Sequence, residues 1–201
     1  MYNKPDFTAD DSESLALIAA HPLAQVVVAS PKGIKATPVP MVRRGDTLVG
    51  HVARPNDIWQ YPGEAVAIFT GVDAYVSPNW YPSKAQHGRV VPTWNYTTVH
   101  VRATLQIHDD DDWKRDVITF LTNHFEMTQP RRWQVSDAPP DYTAAMMQRI
   151  VGIELTDLAI EGKRKLSQNQ SEPDLNGVRE ALASGDARQQ AVAQQMRPAS
   201  S

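Results

Sequence analysis

Cysteine is absent from this 201-residue chain. That excludes disulfides, thiolate-ligated zinc, iron–sulfur clusters and a thiol nucleophile. A basic excess is absent too: the formal net charge is −3, whereas a generic nucleic-acid binder carries the opposite balance. No apolar run approaches the roughly 20 residues that span a bilayer. The first residues, MYNKPDFTADD, contain no apolar segment of the secretory kind. The six histidines, at 21, 51, 87, 100, 108 and 124, show neither H-x-x-x-H nor H-E-x-x-H spacing, so no metal site is expected. G-x-S-x-G, P-loop and G-x-G-x-x-G motifs are also missing, which leaves hydrolase, NTPase and Rossmann readings without support. A chain of this length that is 41% hydrophobic can bury one core. The class expected from these absences is a cytoplasmic α+β domain with no membrane association.

What is present alternates between strand and helix signals. Ser12–Ala20 reads as a helix behind capping oxygens at Asp10 and Asp11, and Pro22 discourages its continuation. Leu23–Ser30 is a β-branched strand, and Pro31-Lys32-Gly33 turns it into an antiparallel Ile34–Val42. Pro38 and Pro40 cannot donate backbone hydrogen bonds, which assigns that strand to an edge or a ligand-facing place. Thr47–Val52 is a strand, Pro55–Tyr61 a short helix opened by proline, and Glu64–Thr70 and Ala74–Ser77 are two further strands. Thr97–Ile107 alternates cleanly, and the run Asp109–Asp112 opens a helix from Trp113 to His124. A helix over Tyr142–Arg149, a strand over Ile150–Ile160, a basic loop over Gly162–Gln170 and a helix over Leu175–Ala183 follow. The expected organisation is one domain over residues 1–184, with a polar tail or helix over 185–201. Antiparallel strands with helices inserted between them point to a small β-barrel with peripheral helices.

Chemistry concentrates between Leu48 and Val101. His51, Ala53, Arg54 and Asn56 sit where a strand gives way to a helix start, a place that attracts anions, and Arg54 brings a fork suited to phosphate. A surface arginine beside a capping asparagine is the plainer reading. Tyr75, Trp80, Tyr81, Trp94 and Tyr96 follow among Pro78, Pro82 and Pro92, a rigid wall of flat rings. Those rings serve a planar ligand, the protein's own core or a second subunit. A planar ligand that carries a phosphate, as flavin mononucleotide (FMN) does, matches both features. The proline-broken stretch Ala36-Thr37-Pro38 offers backbone groups to a heterocycle's edge. In the loop Gly162–Gln170, Lys165 and Gln168 offer a cation and an amide that would stabilise a reduced flavin ring; an exposed basic loop is the alternative.

Several stretches resemble the PaiB family of FMN-binding negative transcriptional regulators. They are MYNKPDF, HPLAQVV, GHVARPN, AVAIFTGVDAYVSPNWYPSK, VVPTWNYTTVHV, WQVSDAP, IVGIEL and GKRKLSQN, and they cover almost the whole chain. The resemblance implies an antiparallel split β-barrel of the pyridoxamine-phosphate-oxidase kind. It also implies a homodimer with FMN at the subunit interface. In that wider group a small-residue segment with Arg or Lys after a strand holds the phosphate, here His51, Ala53, Arg54 and Asn56. This chain has Ala53 and Pro55 where the oxidases often carry serine and lysine, so the implied grip rests mainly on Arg54. Three other functions compete: a repressor that contacts DNA directly, for which the GKRK segment is the one basic candidate, a haem-binding split barrel with His51 or His100 as axial ligand, and a flavin-dependent oxidoreductase with no direct DNA contact.

Overall fold

A computed structural model describes residues 1–196, and the fold follows the alternation of the sequence in most places. The elements run in the order β1 (Thr8–Ala9), α1 (Asp11–Ala20), β2 (Leu23–Ser30), β3 (Gly33–Pro40), β4 (Val42–Arg44), β5 (Thr47–Ala53), β6 (Gly63–Val76), α2 (Lys84–His87), β7 (Thr93–His108), α3 (Asp111–Glu126), α4 (Pro140–Met147), β8 (Ile150–Lys165), α5 (Glu172–Ala183) and α6 (Ala187–Gln195). The sheet order is β3-β2-β6-β7-β8-β5-β4, with β1 paired to β8. β2 pairs antiparallel with both β3 and β6, and β5 pairs antiparallel with β4 and β8. β3 and β4 end the strand order, as the two prolines of β3 require, since a missing N–H is tolerated only where no further strand must be bonded.

Four elements differ from the sequence expectation; the strand expected over Ile34–Val42 stops at Pro40, and Val42 opens β4. The two strands expected over Glu64–Thr70 and Ala74–Ser77 are one strand of 14 residues, which Gly71 and Asp73 do not interrupt. The basic loop begins later than expected, because Gly162–Lys165 completes the 16-residue β8; Thr8 and Ala9 pair there with Lys163 and Gly162. The helix expected over Pro55–Tyr61 shrinks to a 3-10 turn, Asp57–Gln60, capped by Asn56. A single such turn presents no N-terminal array of amides, so the anion site expected at a helix start there has no helix to supply it. The C-terminal stretch forms α6 up to Gln195, and the part of the expected tail beyond residue 196 lies outside the described residues. No described helix is long and apolar enough to cross a membrane.

The chain divides into two compact units. One comprises Met1–Ala20, Thr70–Val99 and the residues from Glu161 onward. Its core joins Val76, Tyr81, Leu166, Leu175, Val178, Leu182 and Val192, with Trp80 packed against it. The other comprises His21–Phe69 and His100–Ile160. There α3 lays Val117 and Leu121, with Trp113 and Phe120, on Val42 and Val49. That spacing places all four side chains on one helical face, and Asp110 caps the helix by accepting from the Trp113 amide at 2.8 Å.

Gly177 shows how tightly the first unit is packed. Glycine inside a helix ordinarily costs about 1 kcal/mol relative to alanine. Here, however, a Cβ would collide with the carbonyl oxygen of Trp80 and meet the Pro82 ring at 3.0 Å. Gly177→Ala is therefore expected to destabilise the protein by roughly 1–3 kcal/mol through overpacking. Urea unfolding checks this; a more stable variant would show that the helix has room to move.

Candidate functional site

β3 alternates, and the alternation sorts its residues. Lys35 and Thr37 are half-buried and Val39 is buried, whereas Ala36 and Pro38 lie exposed on the other face. Of the expected trio, only Thr37 turns its side chain toward the interior. The segment after β5 reaches back to that face. Asn56 Nδ2 donates to Thr37 Oγ1 at 2.8 Å, while Asn56 Oδ1 accepts from the Ile58 amide at 3.2 Å. Lys35 donates to Asp57 at 2.7 Å and lies 5.5 Å from the centre of the Tyr61 ring. The hydrogen bond to Asp57 holds the Lys35 ammonium above its ordinary pKa.

This cluster retains donor capacity. The Thr37 hydroxyl accepts from Asn56, so its own proton is free to be given. Asn56 has a second amide proton, and the Lys35 ammonium has two beyond the one that Asp57 takes. The sequence reading named Thr37 and Asn56 but missed Lys35, Asp57 and Tyr61. The usable signal was the two-residue period through Lys35, Thr37 and Val39, set against prolines at the alternate positions.

Arg54 is occupied elsewhere. Its Nη1 and Nη2 close on Asp109 at 3.0 and 2.5 Å, and Nε and Nη2 donate to the carbonyls of Gln148 and Ile150 at 2.8 and 3.1 Å. A phosphate would have to displace this bidentate pair, which is among the stronger contacts that arginine makes. Asp109 is drawn down to about 2, chiefly by the Arg54 hydrogen bond, with Lys114 adding to it. Lys114 is only 1% exposed and also reaches Asp111 at 3.0 Å and the Met147 carbonyl at 3.2 Å. The four-aspartate run is thus a helix entrance, and two of its members also clamp cations.

His51 faces away from Thr37. The vacant Cβ direction of Gly50 meets Val39 at 3.3 Å and Met41 at 2.7 Å, so that face of β5 looks toward β3, and His51 points to the opposite one. Its paired residue on β8, Gly152, lies under the Trp113 ring of α3, and cross-strand partners share a face. Among the described residues His51 Nδ1 is buried without a hydrogen-bond partner, and burial lowers the ring's pKa, which keeps it neutral near pH 7. Ala53 is exposed at the end of β5.

The remaining expected residues lie in the other unit. Trp80 packs against that unit's core. Trp94 is 44% exposed, meets Tyr75 edge-on at 6.2 Å and has Arg188 over its ring. Lys165 donates to Thr93 Oγ1 and, at 2.8 Å, to the Trp94 carbonyl. Gln168 is spent on backbone groups: it accepts from the Leu166 amide at 2.7 Å and donates to the carbonyls of Asp6 and Arg164.

Comparison with known proteins agrees with a flavin fold. Residues 1–156 match the family model described as "Putative FMN-binding domain". An Emericella nidulans protein, AN0679, is 32% identical over 145 residues, covering 66% of this chain and 57% of its own. The Bacillus subtilis protease synthase and sporulation protein PAI 2 is 28% identical over 138 residues, covering 67% and 64%. The chain spans between 52% and 66% of the length of the curated relatives it matches. Among solved structures, the flavocytochrome Anf3 of Azotobacter vinelandii superposes with a TM-score of 0.61 at 16% identity, covering 78% of this chain and 68% of that one. The FAD and heme binding protein of Mycobacterium smegmatis gives 0.56 at 19% identity, covering 80% and 73%. At such identities the likeness establishes the fold alone: an α+β antiparallel split barrel.

Proposed function

We infer the function from one premise: this chain belongs to the family of FMN-binding domains that its first 156 residues match. It is a split-barrel protein whose cofactor is FMN. The reading put forward here is that FMN is gripped along β3 by Lys35, Thr37 and Asn56, not by Arg54. The observation that carries it is the set of free protons on those three side chains, gathered at an end strand of the sheet. An ammonium, a hydroxyl and an amide N–H suit a phosphate or the carbonyl edge of the flavin ring. When bound, FMN supplies electron-transfer chemistry; the protein supplies position and charge. No acid or base in this cluster is arranged for a separate catalytic step.

The proposal extends to a homodimer that shares the flavin site. Supporting it is Ile34, 81% exposed on β3, an end strand of the sheet, where an apolar edge ordinarily requires cover. Any regulatory role is proposed to act through the flavin rather than by reading DNA, because the net charge of −3 disfavours a phosphate backbone. A cytoplasmic location belongs to the same reading. Haem is the alternative occupant, and a Soret band on haem addition would favour it. The test is an absorption spectrum taken after loading with FMN and desalting. The expected result is a retained flavin band at one FMN per chain; a colourless protein that no FMN concentration loads would overturn the reading.

A further inference from the structure

A cleft of about 270 Å³ lies entirely within the unit formed by residues 1–20, 70–99 and 161 onward. Three cations line it, Lys4, Arg89 and Lys165, and no aspartate or glutamate does. Among the described residues neither Lys4 nor Arg89 forms an ion pair, and Lys165 bonds only to neutral oxygens. Three cations left without a carboxylate in one concavity repel one another, and an anion relieves that repulsion. Burial first, and the charge of nearby Lys163 second, lower the pKa of Lys165.

The floor is built rather than incidental. Asn95 is fully buried and accepts from the Ser167 hydroxyl at 3.0 Å. Ser167 holds a φ of +64°, a left-handed conformation that a serine adopts only when its surroundings impose it. That twist sets Ser167 on Asn95 and turns the chain directly after Lys165. One wall is apolar, formed by Phe7, Val90 and Val91. Val90, Val91, Thr93 and Asn95 come from the segment VVPTWNY, and Lys165, Ser167 and Asn169 from KLSQN; the flavin cluster on β3 uses neither.

We propose that this cleft binds a small organic anion, its oxyanion head held by Lys165, Arg89 and Lys4 and its apolar body against Phe7, Val90 and Val91. The volume falls just below the range of about 300–1,000 Å³ typical of drug-sized ligands, so the occupant is smaller than FMN. The inference does not rest on the flavin reading.

Calorimetric titration of the full chain with phenyl phosphate and with benzoate tests it, with inorganic phosphate as a head-only probe. The expected result is saturable binding of one of the aromatic anions, about tenfold or more tighter than inorganic phosphate. Arg89→Ala and Lys165→Met should each weaken that binding by about tenfold or more. Arg89 is exposed, so a loss in its variant does not arise from misfolding. Saturating FMN should leave the binding unchanged. Absence of saturable binding, binding by both variants as tight as that of the wild type, or displacement by FMN would each overturn the proposal. The visible flavin spectrum reports separately on the β3 site.

Discussion

Lys35→Met together with Thr37→Val is expected to lower FMN affinity by roughly a hundredfold or more, because a hydrogen bond to a charged group contributes about 1.5–3 kcal/mol and two donors are removed. The pair is chosen to spare the fold. Valine keeps the branched shape that β3 favours, and methionine keeps the apolar stem of a half-buried lysine. What disappears is the free ammonium and the one hydroxyl whose proton Asn56 leaves available. Flavin fluorescence titration of wild type and variant, with melting temperatures as the control, reads the effect. Unchanged affinity in a folded double variant would show that FMN is held elsewhere.

Lys114→Ala should cost about 2–4 kcal/mol of stability, and Lys114→Met only about 1–2 kcal/mol. The lysine stem is almost wholly buried, while its carboxylate partners Asp109 and Asp111 are 50% and 57% exposed at their side chains. Alanine loses both packing and charge. Methionine loses only the charge, and water re-solvates the carboxylates left behind. Urea midpoints of the two variants separate the terms; equal losses would assign the whole effect to the ion pairs. The network also sets an acid dependence. Asp109 is lowered from 3.8 to about 2 in the folded protein, so its contribution is complete above pH 3.8 and is lost as the pH falls through about 2. Because Asp109 is half-exposed, solvent screening keeps that contribution modest.

The Arg54–Asp109 pair also marks where sequence reading ends. The strand-end position of GHVARPN, its asparagine cap and the helix entrance at the aspartate run were all legible from local chemistry. That Arg54 spends its fork on Asp109 was not, because the pairing joins residues 55 apart in the chain, and no local pattern encodes a contact of that range. The faces of β5 were hidden for a related reason. Gly50 and His51 are neighbours in a strand, and which of them looks toward β3 depends on register with β8, a property of the assembled sheet. The two gaps in β6 and β8 misled through composition. Glycine and aspartate at 71 and 73 disfavour strand, and GKRK reads as a solvated loop, yet pairing with long neighbouring strands overrides both preferences. Where alternation was strong and uninterrupted, as in Thr97–Ile107, the expected strand lies within the observed one.

FMN binding turns on one placement, along β3. A crystal structure grown with saturating FMN decides it most directly. The expected density places an FMN oxygen within hydrogen-bonding reach of Thr37 Oγ1 and Asn56 Nδ2, with Lys35 alongside and the Arg54–Asp109 pair still closed. Density for FMN against Arg54 with that pair broken, or away from β3 altogether, would contradict it.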